Sequence, residues 1–286
     1  MTTRRALLPL ILGFALAATA CGLPAAPGAR AALKRPAVTR SLGRTMPADY
    51  YAPVANMSGP ALLQGLNQLV GPHRDLGYDG ARDVMFADVD DLDGDDTVAC
   101  VYIGRALDNV RDRASAFRNG AGLNAEHTWP QSKGAEGSAK ADLHHLFPSD
   151  VKANSTRGSY PFGEVARVEW AEGGSQLGDN GSGRRVFEPR MDQRGDTARA
   201  LLYFFTVYGV TGGPDLENFR LEEPTIKRWH EQDPPTTDEK LRNDAVFAVQ
   251  GNRNPYIDHP EYVARVGGFM QAGAALNARV SKRRPR

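Results

Sequence analysis

The sequence predicts a single α+β domain that is mostly helical and contains one short strand-loop-strand-helix unit. Two observations carry this prediction. Several segments repeat apolar residues at helical spacing, and short runs rich in β-branched or aromatic residues lie between them. With 286 residues, of which 41% are hydrophobic, the chain is long enough to bury a substantial core.

The first predicted elements are two helices and a strand. Apolar residues recur at helical spacing in Gly59–Leu69 and in Tyr78–Phe86. The run VACVYI, Val98–Ile103, is rich in β-branched and aromatic residues, which favours a strand. These elements precede the part of the chain in which polar residues of chemical interest are concentrated.

An acidic loop, Asp88–Asp96, separates the second helix from the strand. Its composition suggests a calcium loop, but the spacing does not match an EF-hand. When Gly94 is placed at the turn position, Val89 falls at the first ligand position and Cys100 falls where a bidentate Glu is required. We interpret the loop as a solvated acidic turn, with adventitious calcium binding as the alternative.

The central element predicted next is a strand-loop-strand-helix unit. Leu123–Thr128 is a short extended segment, and a Gly/Ser/Lys-containing loop covers Gln131–Lys140. A second extended segment is expected over Ala141–Phe147. A short helix then begins with Ser149 as its N-cap and ends near Gly158.

Two further helices are predicted in the second half of the chain. Asp196–Tyr208 has an apolar face, Asp196 is suited to capping its start, and Gly209 to ending it. Thr237–Val249 is expected to be the last helix. Thr236 begins its capping box with the Glu three residues later.

The N-terminus predicts export. Arg4 and Arg5 precede the apolar run Ala6–Ala18, which is too short to span a bilayer and is followed by a small-x-small cleavage pattern. Residues 1–20 are therefore expected to be a signal peptide. Cys21 directly follows, so lipidation and membrane anchoring there are one possibility, although Ala18 stands where lipoproteins usually have leucine.

The rest of the chain divides by composition. Residues 21–47 are rich in Ala, Pro and Arg and predict a flexible linker. Residues 48–276 form the expected folded domain, with its core unit at about 121–160, and residues 277–286 form a basic tail.

The net charge falls from +1 to −1 when Arg4 and Arg5 leave with the signal peptide, so overall charge does not indicate a nucleic-acid partner. Two cysteines define no disulfide framework.

Residues that could carry chemistry are concentrated between positions 124 and 162. Ionisable groups held among apolar residues, as here, are typical of functional sites. Half of the six histidines of the chain fall in this segment. The candidates are Glu126, His127, Asp142, His144, His145, Asp150 and Asn154.

This set of residues suits phosphodiester hydrolysis. The reaction needs a base for the attacking water and a cation to neutralise the charge that develops on the phosphate. His127 can serve as a neutral base near pH 7, whereas the oxygens of Glu126 and Asn154 suit Mg²⁺. Because neighbouring side chains of a regular strand point to opposite faces, we expect a break in the backbone at Glu126–His127 if both act on one phosphate.

The motifs in this segment resemble those of the bacterial endonuclease I family of periplasmic and secreted nucleases. The likeness extends over about Leu62 to Val263 and includes many short motifs in order. These are Glu126-His127-Thr128-Trp129-Pro130-Gln131-Ser132, Asp142-Leu143-His144-His145-Leu146-Phe147-Pro148-Ser149-Asp150, Asn154 with Arg157, Tyr160-Pro161-Phe162-Gly163-Glu164-Val165, Phe187-Glu188-Pro189-Arg190, Gly195-Asp196-Thr197-Ala198-Arg199 and Gln250 to Pro260.

The resemblance implies the ββα-metal, or His-Me finger, fold. It implies that His127 is the general base and that Glu126 and Asn154 are the Mg²⁺ ligands, with Mn²⁺ or Ca²⁺ as substitutes. One departure is Gly158-Ser159 after Arg157, where many members have Ser-Asn, which predicts a looser end of the metal-binding helix.

Other positions have less specific expected roles. The resemblance implies that a basic residue contacts the product phosphate, and the candidates are Lys140 and Arg157. We expect Asp142, His144 and His145 to orient or support the catalytic groups.

The implied function is a secreted, Mg²⁺-dependent endonuclease that cleaves DNA, RNA or both without strong sequence preference and leaves 5′-phosphate ends. One alternative is an RNA-preferring secreted ribonuclease of the same fold. Another is a non-catalytic surface lipoprotein that binds nucleic acid or calcium. No obligate protein partner is expected.

Overall fold

Helix α5, Arg194–Val207, lies at the centre of the core in the computed structural model, which describes residues 45–283. Twelve of its 14 residues are buried, so α5 is buried on nearly all sides and not on the single face that its pattern predicts. Three aromatic rings of α5 point to different neighbours. Tyr203 reaches the turn at Asp142, Phe204 stacks on Trp129, and Phe205 stacks on Phe219.

Ten α-helices are present among residues 45–283, and those that pack directly against α5 include α1, α6 and α8. Their bounds are α1 Gly59–Val70, α2 Tyr78–Val84, α3 Arg113–Phe117, α4 Val151–Arg157, α5 Arg194–Val207, α6 Glu217–Gln232, α7 Thr237–Gln250, α8 Pro255–Asp258, α9 Tyr262–Val266 and α10 Phe269–Arg283. A π-helical segment, Met85–Val89, continues α2.

The four helices predicted outside the strand-loop-strand-helix unit are present as α1, α2, α5 and α7, with small shifts at their ends. Thr236 caps α7 by accepting a hydrogen bond from the Glu239 amide. Asp196 does not cap α5, because the helix begins two residues earlier and the Asp196 carboxylate pairs with Arg199. Helix α7 is not the last helix, since α8, α9 and α10 follow. The basic tail predicted from residue 277 begins inside α10.

The described strands form three small antiparallel sheets. The pairs are β1 Val98–Ala99 with β2 Ala106–Leu107, and β3 Leu123–His127 with β4 Leu146–Asp150; the three-stranded sheet contains β5 Arg167–Glu172, β6 Ser175–Asp179 and β7 Arg185–Glu188. The strand predicted over Val98–Ile103 is much shorter, because the chain turns at Cys100, whose carbonyl accepts from the Gly104 amide. The three-stranded sheet was not predicted; five of the six residues of β5 are exposed and three are charged, so its sequence resembles a surface loop.

Helix α6 fixes the segment that follows the strand-loop-strand-helix unit. The buried Glu222 carboxylate of α6 accepts a hydrogen bond of 2.7 Å from the Phe162 amide. The Phe162 ring lies against the Arg157 guanidinium, at 4.5 Å. Because the carboxylate is buried, the pKa of Glu222 rises to about 7, although the Phe162 amide and Arg157 oppose that rise.

The predicted signal peptide, Cys21 and most of the predicted linker lie outside the described residues, as do the last three residues of the tail. Between residues 45 and 283, no helix has both the length and the apolar character needed to cross a membrane.

The raised pKa of Glu222 predicts a pH-dependent effect of Glu222→Gln on stability. The glutamine oxygen can still accept from Phe162. Below pH 4.5 the carboxyl is protonated in both the folded and the unfolded chain, so the substitution should change little. Above about pH 7 the folded chain must ionise a buried group, and Glu222→Gln should raise the free energy of unfolding by roughly 3 kcal/mol.

Urea unfolding of both proteins at pH 4.5 and pH 8 measures this difference. An equal effect of the substitution at the two pH values would show that the Glu222 carboxyl is not the titrating group.

Candidate active site

A two-stranded hairpin followed at once by a helix carries the candidate residues. Strand β3 pairs with β4 from Leu123 opposite Asp150 to His127 opposite Leu146. Helix α4 begins at Val151, directly after β4. The order of strand, loop, strand and helix is the one predicted from the sequence.

The predicted boundaries of the second strand and the helix were wrong. Strand β4 begins at Leu146 and not at residue 141, because the Asp142 carboxylate accepts from the His144 amide and holds a turn. Ser149 stays in the strand, opposite Asn124. Asp150 caps α4 instead, since its carboxylate accepts two amide hydrogen bonds from the first helical turn.

The backbone break expected at Glu126–His127 is not present. Glu126 pairs with Phe147 and His127 with Leu146 in unbroken register, and the next amide, that of Thr128, continues the pairing. The side chains of Glu126 and His127 therefore alternate between opposite faces of the hairpin. Because the pairing is regular, the side chains of Glu126 and His127 contact different groups.

Glu126 lies on the face covered by α4. Its Oε1 accepts a 2.8 Å hydrogen bond from the Tyr102 hydroxyl and lies 3.1 Å from Nη1 of Arg157. Burial raises the pKa of Glu126, while Arg157 and Tyr102 act in the opposite direction by favouring the carboxylate. Both observed contacts use Oε1, which leaves Oε2 as the oxygen that could bind a cation.

Arg157, the last residue of α4, is 1% exposed. Besides Glu126, its guanidinium donates to the carbonyls of His127, Thr128 and Gly158. Its Nε has no partner among the described residues. Gly158 adopts φ +56°, and its amide donates to the Asn154 carbonyl, so the end of α4 is hydrogen-bonded.

His127 lies on the other face and is 6% exposed. Its Nε2 is 3.0 Å from the Lys140 carbonyl, which can only accept, so Nε2 carries the proton and Nδ1 has the lone pair. Nδ1 is 3.3 Å from Nε2 of Gln131. Burial, with a further contribution from His145, lowers the pKa of His127 to about 3. His127 is therefore a neutral imidazole of defined tautomer at pH 7.

Asn154 is half-buried on α4 and faces strand β3. Its Nδ2 donates to Oδ1 of Asn124 at 2.8 Å and to the Ala125 carbonyl at 3.2 Å. Both hydrogen bonds use the amide nitrogen, so the amide orientation leaves Oδ1 as a free hard oxygen donor. Asn124 and Glu126 share a face of β3, so Asn154 and Glu126 both lie between the hairpin and α4.

The predicted supporting residues Asp142, His144 and His145 are all buried. Asp142 accepts from the hydroxyls of Tyr203 and Tyr208, each at 2.8 Å. His144 and His145 lie in the turn and not on a strand, and each ring nitrogen Nε2 contacts a backbone carbonyl, of Asn252 and Ala139 respectively. His145 also lies edge-on to the His127 ring, at 5.5 Å between centroids.

Lys140 and Tyr78 lie beside His127. The Tyr78 ring is 5.4 Å from the His127 ring, and Nζ of Lys140 lies over Tyr78 at 4.6 Å from its centroid. The guanidinium of Arg82 also lies over Tyr78, at 4.2 Å. Sequence reasoning missed Tyr78, Arg82 and Asn124. Of these three, only Asn124 could have been predicted as a site residue, because residues two positions apart on a strand point to the same face and Asn124 stands two positions before Glu126.

The acidic loop holds three carboxylates whose oxygens lie within 4.8 Å of one another, those of Asp91, Asp93 and Asp95. The Asp91 carboxylate accepts from the amides of Asp95 and Asp96. These hydrogen bonds close a turn between a helix and a strand, as interpreted from the sequence, but Asp91 is 3% exposed, so this part of the turn is buried and not solvated.

The two basic candidates differ in burial, which predicts different effects of their removal. Arg157→Met leaves the Glu126 carboxylate buried without its cation and should lower the free energy of unfolding by about 3–5 kcal/mol. Lys140→Met removes a half-exposed contact with an aromatic ring and should cost no more than about 1 kcal/mol.

Thermal and urea unfolding of the two variants test this difference. A stable Arg157→Met protein with reduced affinity for nucleic acid would instead make Arg157 the phosphate contact.

Comparison with known proteins identifies the family of this chain. The sequence model of the endonuclease I family matches residues 59–261, well over half of the chain. Extracellular ribonucleases of Bacillus amyloliquefaciens and Bacillus subtilis are each 31% identical, over 238 and 232 residues, which is 76% of this chain and 77% of each relative.

Another group of nucleases matches a smaller share of the chain. A periplasmic deoxyribonuclease of Aeromonas hydrophila is 31% identical over 119 residues, 42% of this chain and 48% of that protein. A family match of this extent, together with relatives aligned along most of both chains, establishes that this chain belongs to the endonuclease I family.

Proposed function

We propose that the protein is an exported, metal-dependent endonuclease with a ββα-metal core that hydrolyses phosphodiester bonds without strong sequence preference and leaves 5′-phosphate ends. The observation that carries the proposal is the state of His127. It is a buried, neutral imidazole whose Nε2–H is held by the Lys140 carbonyl, so that Nδ1 presents a lone pair. His145 is held by a carbonyl in the same way, but its ring is fully buried, whereas the Nδ1 lone pair of His127 meets the exposed Gln131 amide, which a water molecule can replace, as a general base requires.

The base acts at Nδ1. In the proposed reaction a water molecule takes the position of the exposed Gln131 amide at Nδ1 of His127 and transfers a proton to it as it attacks phosphorus. The bond from phosphorus to the 3′ oxygen breaks, and the 3′ oxygen takes up a proton, so the products are a 5′-phosphate and a 3′-hydroxyl end. The Lys140 carbonyl accepts from Nε2–H, and this contact stabilises the imidazolium that forms. Lys140 itself, with its Nζ over the Tyr78 ring, is the better candidate for contact with the product phosphate, because Arg157 is buried and already bonded to Glu126.

The oxygen donors suit a hard divalent cation. We propose that Oε2 of Glu126 and Oδ1 of Asn154 hold Mg²⁺, for which Mn²⁺ or Ca²⁺ could substitute, because Mg²⁺ prefers oxygen ligands and retains several waters. When bound, the cation would neutralise charge on the scissile phosphate and the leaving oxygen. Because the regular ladder sets Glu126 and His127 on opposite faces, the proposal requires the phosphate to reach both around the end of β3, where His127 is the last residue. Arg157 and Tyr102 hold the carboxylate in place through Oε1, and Asn124 orients the Asn154 amide.

Both DNA and RNA are proposed substrates. The relatives include enzymes named as extracellular ribonucleases and as periplasmic or extracellular deoxyribonucleases. The ribonucleases align over 76% of this chain and the deoxyribonucleases over 42%, which favours the RNA-preferring enzyme as the second candidate function. Parallel digestion of single-stranded RNA and duplex DNA separates the two.

Export is proposed from two observations. The relatives are named as extracellular or periplasmic proteins, and residues 1–20 have the composition of a signal peptide. Lipidation of Cys21 would anchor the mature protein to a membrane. A non-catalytic binding lipoprotein would bind nucleic acid without cleaving it in any divalent cation, and it would not require the arrangement at His127.

Removal of the base should abolish activity without loss of the fold. His127→Ala should reduce plasmid and RNA cleavage roughly 100-fold or more, the range expected for loss of general base catalysis. His259→Ala is the matched control, because His259 is a partly exposed histidine that pairs with Glu261. Near-normal cleavage by His127→Ala at an unchanged melting temperature would refute the assignment.

Metal dependence is tested separately. Cleavage should stop in excess chelator and return when Mg²⁺ is restored. Asn154→Ala should raise the Mg²⁺ concentration for half-maximal cleavage by roughly 10-fold or more, because a metal ligand is lost. Full activity in chelator, or an unchanged Mg²⁺ requirement in Asn154→Ala, would contradict the proposed ligand set.

A further inference from the structure

A cleft of about 220 Å³ lies beside strand β3, between that strand and helices α2 and α3. Asn124 and Ala125 of β3 form one wall, and Arg82, Arg113 and Phe117 form the opposite side. The volume is below the roughly 300–1,000 Å³ of pockets that enclose drug-sized ligands. The cleft therefore suits a single flat ring system and is too small for a base pair.

Phe117 is unusual in its exposure. Its side chain is 46% exposed, whereas every other aromatic residue among residues 45–283 is buried or half-buried. Phe117 ends helix α3, and the following residue, Arg118, adopts a left-handed conformation that turns the chain away. Aromatic rings left in solvent beside cations are the stacking platforms of proteins that bind unpaired nucleotides.

Two guanidinium groups line the same cleft as this ring. Arg82 pairs with Asp79, and Arg113 pairs with Asp79 and Asp83. The two carboxylates hold the two arginines in place and balance their formal charge, so a phosphate would bind here through guanidinium hydrogen bonds and not through a net positive charge. Each guanidinium has five N–H donors, so the ion pairs leave donors for a phosphate.

The cleft borders the candidate active site at two points. Asn124, in its wall, accepts from the Asn154 amide that orients the proposed metal ligand. Arg82, on the other side, lies over Tyr78, whose ring contacts that of His127. A nucleotide in the cleft would thus be part of a strand whose backbone passes the proposed base and metal ligands.

We infer that this cleft binds one unpaired nucleotide of a single-stranded nucleic acid, with its base stacked on Phe117 and its phosphate on Arg82 and Arg113. This inference rests on the proposed function and deepens it by naming the substrate class. The enzyme would bind unpaired strands in preference to duplexes, because a base must be free of its partner to enter the cleft.

The test measures binding in the His127→Ala background, which prevents cleavage. The probes are a short fluorescein-labelled DNA strand of mixed sequence and the same strand annealed to its complement. Phe117→Ala should raise the dissociation constant for the single strand by about 5- to 150-fold, the loss expected for one stacked base. The constant for the duplex should change by less than about two-fold, since no paired base enters the cleft.

Two variants serve as controls. Phe117→Trp keeps a stacking ring and should retain single-strand binding. Met191→Ala removes another exposed apolar side chain, 76% exposed and outside the cleft, and should leave binding unchanged. Equal losses in Phe117→Ala and Met191→Ala, equal losses for single strand and duplex, or failure of the single strand to bind would each overturn the inference.

Cleavage assays with His127 intact separate this inference from the proposed function. If the wild-type protein cleaves nucleic acid but Phe117→Ala binds the single strand as tightly as the protein that retains Phe117, the cleft inference fails and the proposed function stands. If Phe117→Ala weakens single-strand binding but the wild-type protein cleaves nothing in any divalent cation, the proposed function fails and the binding site remains.

Discussion

The guanidinium of Arg157, the last residue of α4, is buried and therefore needs hydrogen-bond acceptors. Residues at the end of strand β3 supply most of them. The Glu126 carboxylate and the carbonyls of His127 and Thr128 all receive hydrogen bonds from Arg157. One side chain therefore ties α4 to the strand that carries both proposed catalytic residues. A buried ion pair of this kind contributes little net stability, but loss of one partner is costly, so the pair specifies the geometry more than it stabilises the fold.

A second buried centre acts on the opposite face of the hairpin. The Asp142 carboxylate accepts from Tyr203, Tyr208 and Gln250 and holds the turn before β4. That turn follows the loop whose carbonyls, from Ala139 and Lys140, contact the rings of His145 and His127. The position of the proposed base therefore depends on contacts from α5 and α7, far away in sequence, whereas the proposed metal ligands depend on α4.

The sequence predicted a structural element correctly where residues close to it in the chain determine it. Thr236 caps α7 as expected, because an N-cap acts within three residues of itself. The cap of α4 was misassigned to Ser149, because the pairing of Ser149 with Asn124, which keeps it in the strand, is a long-range contact that the local pattern does not contain. The role of Arg157 was missed for the same reason: a basic residue at a helix end normally indicates exposure, and only packing against Glu126 and Phe162 buries it.

The sequence by itself determined the class of fold, the strand-loop-strand-helix order and the identity of the residues proposed for chemistry, since these depend on composition, spacing and motif. Only the tertiary structure decided which face each residue occupies and what it contacts. A regular ladder turns Glu126 towards α4 and His127 towards the Lys140 carbonyl. The tautomer of that histidine follows from a hydrogen bond that only the folded loop can supply, and the cleft at Phe117 exists only where α2, α3 and β3 meet.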